Sequence, residues 1–352
     1  MKIAFTYNVR HLIPDMHNPA SLAEAEFDTP ETILAITEAL ESLGHTVERV
    51  EANENAYEKL KALKGSVDLV FNFAEGLRGH DREAHIPAML EMLQIPYTGP
   101  RPLAYALGLH KAKAKEVMHY YGIPTPCWNT AGSLKELREK NVDFFPAIVK
   151  PVGEGSSKGI YAKNLVTSAS ALEAVAEELL RTYPEIMVEE FLPGREFTVG
   201  VIGTPAQTLP IIEVIFDDLP EGMPKFDHYE AKWVYDSREL NADPLVCPAN
   251  IDADLAEKIK AVALQAFDVL EMADWARLDI RLDKNGVPNV IEINCPPGML
   301  PDPRDNSRFP RAARALGIDF AGILEKILRS ACLRYTIRYH AEVPVRVMAL
   351  AR

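Results

Sequence analysis

No run of about 18 consecutive apolar residues, the length a membrane-crossing helix needs, occurs anywhere in the sequence. The opening MKIAFTYNVR also lacks the apolar stretch of a secretory leader. A cytoplasmic protein with no membrane partner is therefore expected. Cysteine is scarce: Cys127, Cys247, Cys295 and Cys332 are scattered, with no Cys-x-x-Cys pair. That spacing supplies neither a disulfide frame nor a zinc cage, and reads as reduced thiols. A surplus of positive charge is missing too, the formal net charge being −13. Nucleic acid, which needs a clustered basic surface, is not an expected partner. A nucleotide is not excluded, because it needs only a local group of cations. Neither a Walker A loop nor a Gly-x-Gly-x-x-Gly turn after the first strand is present.

What remains is ordinary globular material, 47% hydrophobic and 25% charged over 352 residues, long enough for two or three packed domains. The first hundred residues alternate strand and helix: MKIAFTY, then DTPETILAITEALESLG, HTVERVEA, VDLVFNFAEG and HIPAMLEMLQ. Alternation of this kind predicts a parallel sheet with crossover helices, with Thr29 or Asp28 capping the first of them. Further on, LAYALGLHKAKAKEVMHYYG reads as one helix leading into strand FFPAIVKP, a Gly-Ser loop, and strands IMVEEF, EFTVGVIG and PIIEVIF. The stretch from Asp217 to Pro248 is polar and aperiodic, and is read as a long functional loop. A helix, ADLAEKIKAVALQAFDVLE, precedes two strands joined by a Lys-Asn-Gly turn.

That last strand pair is the most informative segment. In VIEIN, Glu292 and Asn294 are two apart and share one face, as do Arg277 and Asp279 in ARLDIRLD. A hairpin brings Asp279 towards Glu292. Two carboxylates and an amide oxygen form a hard donor set suited to Mg²⁺ together with substrate phosphates. Taken alone, the same pattern also fits a solvated sheet face. In FFPAIVKPVGEGSSKG, Lys150 ends an apolar strand and so sits at a carboxyl edge, where α/β ligands bind. The glycines and the hydroxyls of Ser156 and Ser157 after it suit a phosphate cradle, or simply a turn. In IMVEEFLPGREF, Glu189, Glu190 and Glu196 offer acceptors for ribose hydroxyls, or an exposed acidic strand end.

Together these segments resemble the ATP-grasp superfamily, specifically its D-alanine–D-alanine ligase group. LQIPYTG, LHKAKAKEVMHYYGIPTP, IVKPVGEGSSKG, VEEFLPGREFTVGV, FDHYEAKW, ARLDIRLD and IEINCPPGM occur in the family's order, over roughly residues 67–330. The resemblance implies an α/β ATP-grasp fold: a Rossmann-like substrate domain over 1–100, a central subdomain over 101–194, a C-terminal subdomain with the metal site over 195–332, and a tail of unassigned role over 333–352. It implies an ATP-dependent ligase that joins a carboxylate to an amine through an acyl-phosphate. Lys111 and Lys150 match the lysines on the α- and β-phosphates, and Ser156 and Ser157 fall in the loop over the triphosphate. Glu189, Phe191, Leu192 and Glu196 match the adenine and ribose contacts, and Lys232 a lysine over the γ-phosphate. Asp279, Glu292 and Asn294 match the ligands of two Mg²⁺ ions, with Mn²⁺ the alternative. Arg277 and the Gly298 amide match the groups that stabilise the tetrahedral intermediate. A homodimer is implied as well.

The chain departs from the family on its amino-acid side. TYNVRHLIPDMHNPASLAEAEFDTPE stands where the family has Gly-Gly-x-Ser-x-Glu, leaving Glu24 or Glu26 as the expected ammonium ligand. FAEGLRGHDREA replaces His-Gly-x-x-Gly-Glu-Asp-Gly; Trp233 and Asp227 stand where tyrosine or phenylalanine is usual; Ser307 is the nearest candidate for a displaced serine. Asp227 either favours a cationic second substrate or faces solvent, and Arg304 and Arg308 are candidate carboxylate ligands. D-alanyl-D-alanine is the leading product. A hydroxy acid or specialised metabolite as one partner, or a non-catalytic nucleotide-binding module, are the competing readings.

Overall fold

The computed structural model describes residues 1–13, 21, 24–217, 219–231 and 243–340. Strand β1 (Lys2–Tyr7) carries an apolar run that is almost wholly buried, as a strand covered on both faces must be. Thr29 caps the helix Pro30–Ser42, its hydroxyl accepting the Thr32 N–H at 3.3 Å. Pro30 sits in the first turn, where a missing N–H costs nothing. Strands β2 (Thr46–Glu51) and β3 (Leu69–Phe73) pair parallel with β1 on either side, in the order β2-β1-β3. The expected parallel unit is therefore present.

The helix expected over LAYALGLHKAKAKEVMHYYG is in fact two, Pro102–Leu109 and Lys111–Tyr120. His110 leaves helical geometry at φ −86°, ψ 85° and restarts the second helix by accepting the Lys113 N–H on its ring. The break turns Lys111 and Lys115 inward as a pair one turn apart. Strands β4 (Trp128–Ala131), β5 (Ala147–Pro151), β6 (Leu165–Val166) and β7 (Ile186–Glu190) form an antiparallel sheet in the order β4-β7-β5-β6. The helix Ala169–Leu180 covers it with Leu172, Ala176 and Leu179.

The third sheet is antiparallel, with β8 (Glu196–Ile202), β10 (Ile212–Val214), β11 (Leu245–Val246), β12 (Trp275–Leu282) and β13 (Pro288–Asn294) in the order β11-β10-β8-β12-β13, and β9 (Gln207–Thr208) paired to β8. The segment expected as a loop from Asp217 to Pro248 thus contributes one short edge strand. Trp275 is fully buried against Phe71, Phe73 and Phe309. Rings of this size each bury roughly 150–250 Å², so this cluster fixes the first sheet against the third. The helix Phe320–Arg334 runs past residue 332. Arg334 pairs with the buried Asp274 at 2.7 Å, and Tyr339 lies against His45. Arg334 thereby ties the end of this helix to the third sheet, and Tyr339 reaches the start of β2 in the first. Among the described residues no helix is long and apolar enough to cross a membrane.

Candidate active site

The β12–β13 hairpin places Asp279 directly opposite Glu292, and Arg277 opposite Asn294. Its turn is held by the Asp283 carboxylate, which accepts the N–H groups of Asn285 and Val287 at 2.8 Å each, with Gly286 at φ +77°. Asp279 accepts from Thr198 Oγ1 at 2.6 Å, Arg277 Nη2 at 2.9 Å and Asn294 Nδ2 at 3.2 Å. Burial pushes its carboxyl up, but the Arg277 and Arg308 guanidiniums beside it hold it well below the usual carboxylate range. A carboxylate fixed as an anion in this way is a ready oxygen ligand. Lys111 Nζ stands 3.4 Å from Glu292 Oε2. Among the described residues no three His, Cys, Asp or Glu side chains converge as a cage. The donor set here is two carboxylates and an amide, which suits a cation that keeps substrate phosphates among its ligands.

A cleft beside the hairpin runs between the second and third sheets, lined by Lys150, Glu189, Phe191, Leu192 and Glu196 among others. Lys150 Nζ donates to Glu189 Oε1 at 2.8 Å, and Lys115 Nζ lies 2.7 Å from Glu189 Oε2. Lys115 is fully buried. Burial lowers its ammonium to about 8, against the opposing pull of Glu189. Sequence reading missed this lysine, although its four-residue spacing from Lys111 placed both on one helix face. Glu196 pairs with Arg281 at 2.7 Å, and the Arg281 guanidinium lies over the Phe191 ring at 4.6 Å. Burial still raises Glu196 to about 7.

Ser156 and Ser157 adopt left-handed φ values of 50° and 58°, which lift the loop over the cleft. The Ser157 hydroxyl donates to the Asp227 carbonyl at 3.3 Å. The loop is tied to the N-terminal segment by Glu26, which accepts the Gly155 N–H at 2.6 Å and pairs with Arg82 at 2.8 Å and Lys158 at 3.1 Å. The oxygens of Glu26 are thus engaged by protein cations. Glu24 instead accepts the N–H groups of His11 and Leu12, at 2.7 and 3.2 Å.

On the other side of Lys111 opens a cavity of about 260 Å³. Asp28, Glu75 and Glu83 line it from the loops of the first sheet, and Arg277, Gly298 and Ser307 from the third. Ser307 Oγ accepts the Leu300 N–H at 3.0 Å and donates to the Gly298 carbonyl at 3.2 Å, closing the loop that carries Gly298. A Cβ at Gly298 would meet open space. Asp227 neither faces solvent nor stands unpaired: Arg308 donates to it at 2.8 Å. Arg304 is exposed and pairs with Asp302. Lys232 and Trp233 lie outside the described residues. Burial and repulsion from Glu83, Glu26 and Asp28 push Glu75 well up, burial and Glu26 bring Glu83 to about 8, and burial brings Asp28 to about 7. Glu75 and Glu83 both fall in FAEGLRGHDREA, on the connection after β3, while Asp28 comes from the segment before the first helix.

Two antiparallel sheets enclosing a lysine-lined cleft, beside a small parallel domain, define the ATP-grasp class. The family model described as "D-ala D-ala ligase C-terminus" matches residues 112–329. D-alanine–D-alanine ligases of Aquifex aeolicus and Bordetella pertussis are 33% and 35% identical, over 84% and 85% of this chain and 92% and 89% of theirs. An uncharacterised protein of Sinorhizobium fredii is 32% identical over 86% of this chain and 87% of its own. The fold superposes on the D-alanine–D-alanine ligase of Bacillus anthracis with a TM-score of 0.69 at 22% identity, covering 95% of this chain and 98% of that one. For the VanG D-Ala:D-Ser ligase of Enterococcus faecalis the TM-score is 0.69 at 20% identity, with 94% and 99% covered. The chain belongs to the D-alanine–D-alanine ligase family and is an ATP-grasp carbon–nitrogen ligase.

Proposed function

We propose that the enzyme joins two small amino-acid substrates in a dipeptide-type bond through an acyl-phosphate, and that the amide nitrogen enters at the cavity between Arg277 and the first sheet. The single observation that carries this reading is the continuity of the two spaces: Lys111, Ser156, Glu292 and Asn294 line both the nucleotide cleft and the amino-acid cavity. A carboxylate in the cavity therefore meets a γ-phosphate in the cleft. In the first step its oxygen forms a bond to the γ-phosphorus while the bond to ADP breaks. In the second, the amine nitrogen attacks the acyl carbon, phosphate leaves and the amine loses a proton.

Lys111 and Lys150 are assigned to the α- and β-phosphates, Ser156 and Ser157 to the loop over the triphosphate, and Glu189, Phe191, Leu192 and Glu196 to the nucleoside. An exchange of partner is proposed for Lys150, from Glu189 in the free protein to phosphate. Lys115 then remains to neutralise Glu189. Arg277 and the Gly298 N–H are assigned to the oxyanion of the tetrahedral intermediate. Asp279, Glu292 and Asn294, the last presenting its amide oxygen, fit one or two Mg²⁺ or Mn²⁺ ions. Bound there, these would neutralise charge on the transferring phosphoryl group.

Each sheet draws all its strands from one of the spans 1–100, 101–194 and 195–332, which supports that division into domains. Free, scattered cysteines support a cytoplasmic location, and family membership supports a homodimer.

The test is phosphate release from Mg-ATP across pairs of D- and L-amino acids and small hydroxy acids, with products identified by mass. Pair-dependent release with an amide product supports the reading. Release that is independent of any pair, and unchanged in Asp279→Asn, overturns it.

A further inference from the structure

Arg281 has no part in the assignments above, yet it stands in the wall of the nucleotide cleft with Phe191 and Glu196. On β12 it lies directly opposite Glu196 of β8. Three contacts hold its planar fork in one orientation. Nη1 donates to Glu196 Oε2 at 2.7 Å, Nη2 donates to the Lys225 carbonyl at 2.8 Å, and the guanidinium lies 4.6 Å over the Phe191 ring. The side chain is only 6% exposed. One donor is left over: its Nε–H is buried and has no hydrogen-bond partner among the described residues.

A buried N–H without an acceptor has given up its hydration for nothing, which is why such groups are rare in folded proteins. Here the unused donor belongs to a ligand cleft, beside a carboxylate of which Arg281 takes only one oxygen, Oε2. Oε1 is left as an acceptor. A donor next to an acceptor matches a hydroxyl, which gives one hydrogen and takes another. A phosphate oxygen only accepts, and the Glu196 carboxylate would repel it. In a nucleotide the hydroxyls are those of the ribose. We propose, on the ATP-dependent ligase reading above, that Arg281 is a specificity-determining residue for the nucleotide sugar. Glu196 Oε1 accepts from a ribose hydroxyl and Arg281 Nε–H donates to the same hydroxyl oxygen. Through its contact with Oε2, Arg281 also positions Glu196. A deoxy sugar leaves both buried groups unpaired, and a site built to bond a hydroxyl rejects the analogue that lacks it for that reason.

The experiment titrates the intact protein calorimetrically with the magnesium complexes of ADP, 2′-deoxy-ADP and 3′-deoxy-ADP. Both lost bonds involve a charged group, so one of the deoxy nucleotides binds roughly tenfold or more weakly than ADP. Arg281→Met keeps the length of the side chain and its packing on Phe191 but has no N–H, and it reduces that ratio severalfold. Arg281→Lys, which keeps a cation beside Glu196 without the second donor, gives the same reading if the methionine variant does not fold. An arginine that only braced the sheet would, when replaced, weaken all three nucleotides alike and leave the ratio unmoved. The proposal fails if the wild-type protein binds all three equally, or if its preference survives in the folded variants. The ligase reading fails separately. Pair-dependent phosphate release supported equally by ATP and both of its deoxy forms leaves the ligase and removes this inference. A hydroxyl preference lost with Arg281, in a protein with no pair-dependent phosphate release, does the reverse.

Discussion

The Glu26 carboxylate accepts the main-chain N–H of Gly155 at 2.6 Å, joining the N-terminal wall of the cavity beside Lys111 to the loop over the cleft between the second and third sheets. Arg82 and Lys158 complete the junction around a side chain that is only 5% exposed. Burial raises the Glu26 carboxyl, but Lys158 and Arg82 prevail and keep it ionised. Removing one member of a buried charged cluster leaves the others uncompensated, which typically costs about 3–5 kcal/mol.

Glu26→Gln should therefore lower the melting temperature by several degrees and speed proteolytic cleavage between Gly153 and Lys158. Gly155→Ala should reproduce the loop effect, since its Cβ would lie 2.4 Å from Glu26 Oε1. Limited proteolysis of both variants checks this. An unchanged cleavage rate in either one contradicts the junction.

Lys115→Met tests the second lysine of the nucleotide cleft. Without it, Glu189 keeps only Lys150 as a partner, and Lys150 is no longer free to turn to phosphate. ATP affinity should fall by roughly tenfold or more, given about 1.5–3 kcal/mol for a charge-assisted contact. Titration with a non-hydrolysable ATP analogue reads this directly. The fall should be larger than for a lysine at the surface, such as Lys113, which is paired to Glu116.

The contrast between Lys111 and Lys115 shows what a sequence does and does not reveal. The β12–β13 pair was legible because its geometry is local. A short turn and a two-residue period suffice to set Asp279 against Glu292. Lys115 was not legible, since lysine in an alanine- and lysine-rich helix normally reads as a solvated face. The break at His110 that turns this face inward is announced only by Gly108, two residues earlier, and a single glycine is tolerated within a helix. Asp28 is far in sequence from Glu75 and Glu83, which share the connection after β3, and only the parallel sheet brings the two segments to one cavity. The role expected for Asp227 changed for a similar reason, because its partner Arg308 lies far along the chain.

The cavity acids should leave a mark on pH-dependent stability. Glu83 faces Glu26, Arg82, Lys111 and Lys158, and burial with Glu26 lifts its carboxyl from 4.5 to about 8. A carboxyl with a raised folded-state value binds protons more tightly in the folded than in the unfolded chain. Folding therefore loses stability as pH climbs from about 4.5 to about 8, and the loss is constant beyond that. Glu83→Gln removes this cost. Its melting temperature should match the wild type near pH 4.5 and exceed it by several degrees at pH 8, for a difference on the order of a few kcal/mol. Thermal melts across that range check the sign. A variant less stable at pH 8 contradicts it.

Asp279→Asn separates the structural and chemical parts of the hairpin. Asp279 is the meeting point of Thr198, Arg277 and Asn294, with Arg308 at 3.8 Å. An amide can still accept from Thr198, so the strand pairing persists and the chain folds. What the amide cannot do is balance two guanidiniums or bind a divalent cation strongly. Arg277 and Arg308 then face each other's charge unshielded, and Arg277 leaves the position proposed for it beside the reacting carbon. Turnover with whichever pair proves active should drop by about 10²–10³, the scale of losing one preorganised electrostatic contact, while nucleotide titration without metal stays within a few-fold of wild type. Loss confined to metal-dependent turnover assigns Asp279 to the reaction. Equal loss of metal-free nucleotide binding would instead make it a structural residue of the cleft.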